Sequence, residues 1–127
     1  MIQSTYTTAE VSRLTGASLR KLQWMDEHNF LCPSRGQHLG GGGPIRLYSA
    51  EQLVAAHLIA QMRKHRIPLT ICSRAVRSIE PDTKFLVIEG KRSAQCVSPS
   101  QAFMAVMNAR RPVSVFKVPT VLEITKK

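Results

Sequence analysis

Hydrophobic residues near the start of the chain recur at helical spacing, and residues that begin or end helices separate the groups. Thr7 and Glu10 have the spacing of a capping box, in which each side chain bonds the backbone N–H of the other residue. A short helix should follow and end at Gly16, because glycine tolerates the left-handed conformation that often terminates helices. The positions predicted to face a core are Ala9, Val11 and Leu14.

A second helix is predicted almost at once, in the segment LRKLQWMDEH. Ser18 can cap its first turn. The three-residue spacing of Leu19, Leu22 and Met25 predicts that these side chains share one core-facing side. Two short helices joined by a glycine-containing turn are typical of a helix-turn-helix.

The next segment, FLCPSRGQHLGGGGPIRLYS, favours a β-hairpin over a helix. Extended pieces at about Ser34–Leu39 and Ile45–Tyr48 flank a glycine-rich tip, which predicts a wing beside the helices. Ser49 and Gln52 form a second capping box and open a third helix that runs to about His65. The apolar side of this helix comprises Leu53, Ala56, Leu58, Ile59 and Met62.

A fourth helix is predicted after Pro68, which suits a first helical turn, and Pro81 ends it. Its expected core positions are Leu69, Cys72, Val76 and Ile79. From Lys84 the pattern changes to a strand (KFLVIEG), a turn, a strand (SAQCV), a helix from about Ser98 and a strand (VSVFKV). The apolar side of that last helix comprises Phe103, Val106 and Met107.

The predicted fold class is therefore α+β. Residues 1–81 should form a winged helix-turn-helix of four helices and a β-hairpin wing, and residues 82–127 a small β-β-α-β extension. The extension is short for an independent core, so we expect it to pack on the helical part or on a second copy of itself. Dimerisation or partner docking is its expected role.

Composition narrows the choice of partner. Apolar residues make up 43% of the chain, and the formal charge is +10, which favours a polyanion. Residues 1–81 carry ten lysines or arginines against five acidic residues, and residues 82–127 carry eight against three. Charge alone therefore does not say which part contacts the partner, and a solvated basic surface stays an alternative. No apolar run has membrane-spanning length, and the first residues do not resemble a signal peptide.

Little in the sequence favours catalysis or metal binding. Cys32, Cys72 and Cys96 are odd in number and widely spaced, which argues against disulfides and zinc and fits a reducing cytoplasm. Cys72 is expected to be a small core residue. The acidic residues are expected to be caps or surface charges, and the run LGGGGP lacks the Lys-Ser/Thr ending of a phosphate-binding loop. We predict no enzyme, no cofactor and no metal site.

Four segments in order carry a family resemblance: YTTAEVSRLTGAS, LRKLQWMDEHNFLCPSR, IRLYSAEQL and RKHRIPLTI. Together they resemble the DNA-binding domain of the MerR family of bacterial regulators, over about Tyr6 to Ile79. The resemblance implies a cytoplasmic, nucleoid-associated transcriptional regulator that binds duplex DNA as a homodimer or higher oligomer, with no membrane partner. One departure is Gln23, where the family usually has arginine. Another is Pro81, which precludes the long dimerising helix of effector-responsive members.

The resemblance and the exposed side of the second helix together indicate the DNA contacts. Arg20 and Lys21 lie away from the predicted core side and can donate to guanine or to phosphate. Trp24 could cover the edge of the core or contact the DNA backbone through its indole N–H. Tyr48 could contact phosphate, support the wing or pack beneath the third helix. The full predicted DNA-binding set is Ser18, Arg20, Lys21, Gln23, Trp24, Arg35, His38, Arg46 and Tyr48.

Two alternatives stay open beside a sequence-specific regulator. One is an architectural DNA-binding protein of excisionase type, in which several copies line up on DNA. The other is a protein-interaction module, such as an antitoxin or an adaptor, that uses residues 82–127.

Overall fold

A computed structural model describes residues 5–36 and 45–126 of the chain. Within these ranges it contains six helices and two three-stranded antiparallel sheets, so the predicted α+β class is confirmed. In chain order the elements are β1 (Thr5–Thr7), α1 (Thr8–Thr15), α2 (Leu19–Glu27), β2 (Ser34–Gly36), β3 (Ile45–Ser49), α3 (Ala50–Lys64), α4 (Leu69–Arg77), β4 (Phe85–Glu89), β5 (Arg92–Cys96), α5 (Pro99–Met107), β6 (Val113–Lys117) and α6 (Val121–Thr125).

Contacts divide the described residues into two compact units. The first comprises the residues up to Ala60 together with those from Thr120 onward, and the second is Gln61–Pro119. The segment after β6 therefore returns to the first unit, where α6 contacts α1 and Ile124 is fully buried. The domain boundary predicted at residue 81 stays a prediction. Truncating the chain at that residue would also remove α6, which belongs to the first unit.

The first unit is built on a sheet with strand order β1-β3-β2. Tyr6 lies opposite Tyr48 in the β1–β3 pair, and both rings are buried in the core. Strand β1 was not predicted, since three residues are too few to show an alternating pattern. The capping boxes of α1 and α3 are both present, with Thr7 bonded to Glu10 and Ser49 to Gln52.

The predicted hairpin is present in part. Ser34–Gly36 pairs antiparallel with β3, and Arg35 lies directly opposite Arg46. The glycine-rich tip, residues 37–44, lies outside the described residues, and so does His38. The layout of four helices with a wing therefore stays a prediction as a whole.

Two predictions about helix faces in the first unit are wrong. Leu19 is 54% exposed, whereas Leu22, Met25 and Asp26 form the buried side of α2. A three-residue step turns only 300°, so Leu19 points about 120° away from Met25 around the helix. Ala9 is exposed for a similar reason, because it lies opposite the buried side of α1. The five predicted core positions of α3 are all buried.

The second unit is a sheet of order β5-β4-β6 with helices on its faces. Val87, Cys96 and Ala102 form a buried cluster between the sheet and α5. Leu86 and Ile88 point to the opposite face, because side chains alternate along a strand. On that same face, Phe116 meets the ring of His65 edge-on at 5.3 Å between centroids.

The apolar side predicted for α5 is also wrong, since Phe103 and Met107 are 63% and 64% exposed. The small residues Ala102 and Ala105 face the sheet instead. Apolar spacing identified the helix but not which of two apolar sides faces the core. The larger side chains of α5 are left at the surface.

Arg66 provides a test of the backbone after α3. Its φ is 62°, a left-handed conformation that costs a non-glycine residue about 1 kcal/mol. We expect Arg66→Gly to raise the free energy of unfolding by about 0.5–1 kcal/mol, measured by urea denaturation. Lys64→Gly, at the last residue of α3, should instead lower it by up to about 1 kcal/mol. Equal effects from both variants would show that the conformation at Arg66 is not strained.

Candidate nucleic-acid interface

The first turn of helix α2 presents two cationic side chains to solvent. Ser18 caps it by accepting a hydrogen bond from the backbone N–H of Lys21 at 3.1 Å. Arg20 and Lys21 follow in the first turn, and both are exposed. These two charges and the positive end of the helix dipole together make this end of α2 favourable for anions.

Farther along the same helix, Gln23 is engaged by a neighbour. Its side-chain amide donates to Oε1 of Glu27 at 2.9 Å, one turn away on the exposed side. The bond uses one of the two amide hydrogens and leaves the other for a ligand. Glu27 also places a negative charge beside the candidate surface, which opposes binding of a polyanion.

Asp26 joins α2 to the hairpin. Its Oδ2 atom accepts from Nη2 of Arg35 and from Nε of Arg46, both at 2.6 Å. The Asp26 side chain is only 6% exposed, whereas those of Arg35 and Arg46 are 50% and 29% exposed. Arg35 and Arg46 lie directly opposite each other in the β2–β3 ladder, a position where like charges repel. One buried carboxylate therefore offsets this repulsion and fixes both guanidinium groups against α2.

The charge state of this cluster follows from its contacts. Desolvation of the Asp26 carboxylate opposes ionisation, but hydrogen bonds from Arg46 and Arg35 outweigh it, so the pKa of Asp26 is lowered. The hydrogen bond to Asp26 raises the pKa of Arg46. All three groups are therefore charged at neutral pH, and the cluster keeps a net positive charge. Each guanidinium has five N–H donors, so both retain donors for another anion.

Trp24 forms a partly exposed aromatic stack. Its ring lies 4.0 Å from that of His28 and 5.4 Å from that of Phe30, both nearly parallel to it. The indole is 43% exposed. Trp24 thus covers the end of α2 and still presents an edge to solvent, so both interpretations of this residue are compatible with its position.

Tyr48 is the clearest correction to the predicted contacts. Its side chain is 0% exposed, so it cannot reach a phosphate, and burial raises the pKa of its phenol. The alternative in which Tyr48 packs in the core is the one that fits. Cys72 is likewise buried, as predicted, and desolvation raises the pKa of its thiol to about 11.

The structure thus brings Arg35 and Arg46 together beside α2, and it places Arg20 and Lys21 at the exposed start of that helix. Asp26 is the residue whose role sequence reasoning missed. It was expected to be a cap or a surface charge, and that expectation is wrong. The available signal was an acid at the end of a helix motif with two arginines in the following hairpin.

Comparison with known proteins identifies the family of this chain. Residues 6–79 match the family of MerR helix-turn-helix regulatory proteins, which is more than half of the chain. The chain belongs to the MerR family. The resemblance to this family that the four sequence segments predicted is therefore confirmed.

A solved structure similar to this MerR-family chain is a MerR-family transcriptional regulator from Bacillus cereus. The two are 23% identical with a TM-score of 0.48, and the match covers 60% of this chain and 55% of the other. The chain therefore spans little more than half the length of that relative. No curated protein was found to match it.

Two kinds of feature are absent from the residues that the structure describes. No helix in them is long and apolar enough to cross a membrane. No group of three histidine, cysteine or acidic side chains in them is arranged to hold a metal ion.

Proposed function

We propose that the protein binds duplex DNA sequence-specifically through α2 and the β2–β3 hairpin. The observation that carries this proposal is the link through Asp26, which holds two arginines of the hairpin beside the helix whose first turn carries Arg20 and Lys21. A recognition helix in the major groove needs neighbouring phosphate contacts to fix its register. The arrangement supplies both from one rigid unit.

The proposed roles differ along the surface. Arg20 and Lys21 lie at the N-terminal end of α2, the part of a recognition helix that contacts base edges or their flanking phosphates. Arg35 and Arg46 act as the wing and bind phosphates with their remaining donors. Ser18 contributes through its cap, and Gln23 and Trp24 flank the same exposed side.

The test begins with in-vitro selection of bound duplexes, followed by titration of the selected site at several salt concentrations. The double variant Arg20→Gln, Lys21→Gln should bind about tenfold more weakly. Each lost phosphate contact should also lower the salt dependence by about one unit of log K per log salt. Arg74→Gln, an exposed arginine on α4, serves as the control and should change binding less than twofold, about the scatter of such measurements.

The selection itself distinguishes the alternatives. One symmetric pair of half-sites supports a regulator, whereas direct repeats with footprints that grow with concentration support an architectural role. Failure to enrich any sequence, with equal binding to all duplexes, would contradict sequence-specific recognition.

A second function, self-association through residues 82–127, is favoured by the exposed side of α5. Phe103, Met104 and Met107 lie on the side of the helix opposite Ala102 and Ala105, and they are 55–64% exposed. Monomeric proteins rarely expose so many large apolar side chains on one short helix. We propose that a second copy of the chain covers this α5 face.

The composition of the α5 face fits that occupant. Phe103, Met104 and Met107 are each more than half exposed, so a contact between two copies would bury six large apolar side chains. An isologous contact of this kind closes as a twofold dimer. A dimer would also provide two reading helices, which a single short helix-turn-helix needs on a symmetric site.

A further inference from the structure

We propose that a recess at one end of the second sheet binds the phosphoryl group of a small molecule. The recess has a volume of about 340 Å³ and is lined by Glu89, Arg92, Asn108, Arg110 and Arg111. These residues come from the β4–β5 turn and from the loop between α5 and β6, both in the second unit. None of them belongs to the proposed DNA-binding set, so this site is an addition to the proposed function.

The recess is anchored by backbone hydrogen bonds. Oε2 of Glu89, the last residue of β4, accepts from the backbone N–H of Arg110 at 2.8 Å and of Arg111 at 3.1 Å. These two bonds tie the loop after α5 to the end of the sheet. The carboxylate is thus used to position the loop, and the side chains of both arginines are left for another task.

The sheet places the third arginine beside these two. Arg92 lies directly opposite Glu89 in the β4–β5 ladder. The side chain of Arg111 passes over the turn, since a Cβ built on Gly90 would lie 3.3 Å from its Nη1 atom. Gly90 has a φ of 60°, so glycine suits both the turn and the arginine above it.

Three guanidinium groups therefore line one recess that contains one acidic residue. In the part of the chain that the structure describes, no carboxylate oxygen lies within 4.0 Å of Arg92, Arg110 or Arg111 side-chain nitrogens. Clustered like charges without partners destabilise the unit, and a bound anion would remove that cost. Arginine forks match the geometry of a phosphoryl group, which offers several oxygens to more than one fork at once.

The volume of the recess and the presence of Glu89 favour a small ligand, and not the DNA backbone, as the source of the phosphoryl group. The volume falls at the lower end of the range for small-molecule sites. Oε1 of Glu89, which accepts from neither loop N–H, can accept a hydrogen bond from a ligand hydroxyl or amino group, a donor that the phosphate backbone of DNA lacks. The geometry therefore points to a phosphorylated molecule that carries a hydroxyl or amino group near its phosphate.

The experiment is an NMR titration of the full-length protein at physiological salt with inorganic phosphate, adenosine monophosphate and a duplex of about one helical turn. We expect adenosine monophosphate and phosphate to shift the amide signals of residues 89–92 and 108–111. The variant Arg92→Gln, Arg111→Gln should need about tenfold more ligand for the same shift. The matched control Arg74→Gln, Lys84→Gln removes two exposed charges outside the recess and should behave as the parent protein.

The titration distinguishes a phosphorylated small molecule, the DNA backbone and the absence of a specific site. Shifts produced by the duplex but not by adenosine monophosphate would assign the phosphoryl group to DNA and overturn the small-molecule site. Equal weakening in the control variant, or no shift with any probe, would show only a solvated basic surface. Arg110→Gln keeps its backbone hydrogen bond to Glu89 and should also weaken binding. This single variant tests the site even if the double variant does not fold. DNA binding through α2 is measured separately, so its failure would not be confused with failure here.

Discussion

Replacing Asp26 with asparagine is expected to lower the free energy of unfolding by about 2 kcal/mol and to weaken DNA binding about tenfold. Asparagine has nearly the same shape, but it removes the charge that Arg35 and Arg46 share through one oxygen atom. The two opposed guanidinium groups would then repel each other across the β2–β3 ladder. Because both are partly exposed, water compensates some of the loss, and the expected cost is less than for a fully buried pair.

The neighbouring variant Glu27→Gln is the control, since it removes the same charge from the exposed side of the same helix. It should change stability by less than about 0.5 kcal/mol, and it should strengthen DNA binding slightly by removing a negative charge from the surface. Urea denaturation and titration of the selected duplex measure both quantities. If Asp26→Asn costs no more stability than Glu27→Gln, the carboxylate does not hold the hairpin on α2.

The contribution of Asp26 should also depend on pH in a defined direction. The pKa of Asp26 is lowered from its ordinary value of 3.8 in the folded protein. A carboxyl group with a lowered pKa stabilises the fold fully above the unfolded-state value and loses that contribution as the pH falls through the folded-state value. The stability difference between the parent protein and Asp26→Asn should therefore be constant near neutral pH and shrink below 3.8. A difference that grows on acidification would reverse the assigned sign.

The residues around Asp26 show how far sequence reasoning reaches. Caps, breaks and apolar spacing predicted α1, α2 and α3, because these signals act within about one helical turn, but they did not predict β1 or α6. The role of Asp26 was not predictable from them, since it depends on two partners 9 and 20 residues away that meet only through the β2–β3 register. Tyr48 was misassigned for a related reason: which side of a short strand faces the core is decided by packing between elements.

For α5, the sequence predicted the helix correctly but the wrong core-facing side. The apolar residues of this helix occupy both of its sides, and the sequence favoured the larger ones as core. The sheet beneath α5 instead accommodates alanines, so the large side chains point outward. The wrongly predicted core side of α5 points to self-association, because large apolar side chains outside the core of one chain are available to contact a second copy.

Charging the α5 face is expected to have the largest effect on assembly. Phe103→Glu places a carboxylate at the centre of the proposed twofold contact, where the two copies would bury like charges against each other. We expect self-association to weaken by about a hundredfold or more, and sedimentation at micromolar concentrations should show a monomer. Binding to a site with two half-sites should weaken as well, because the second reading helix is no longer held at high effective concentration.

Thr70→Glu provides the control, since it adds the same charge at an exposed position of α4 in the same unit. Both variants should keep the circular dichroism of the parent protein, and Thr70→Glu should remain a dimer. Binding to an isolated half-site separates assembly from recognition, because Phe103→Glu should leave it unchanged while Arg20→Gln weakens it. A parent protein that is monomeric at tens of micromolar without DNA would contradict the dimer, since an interface with several large apolar anchors should associate in that range. In that case the exposed side of α5 would have to be covered by another protein, as the interaction-module alternative requires.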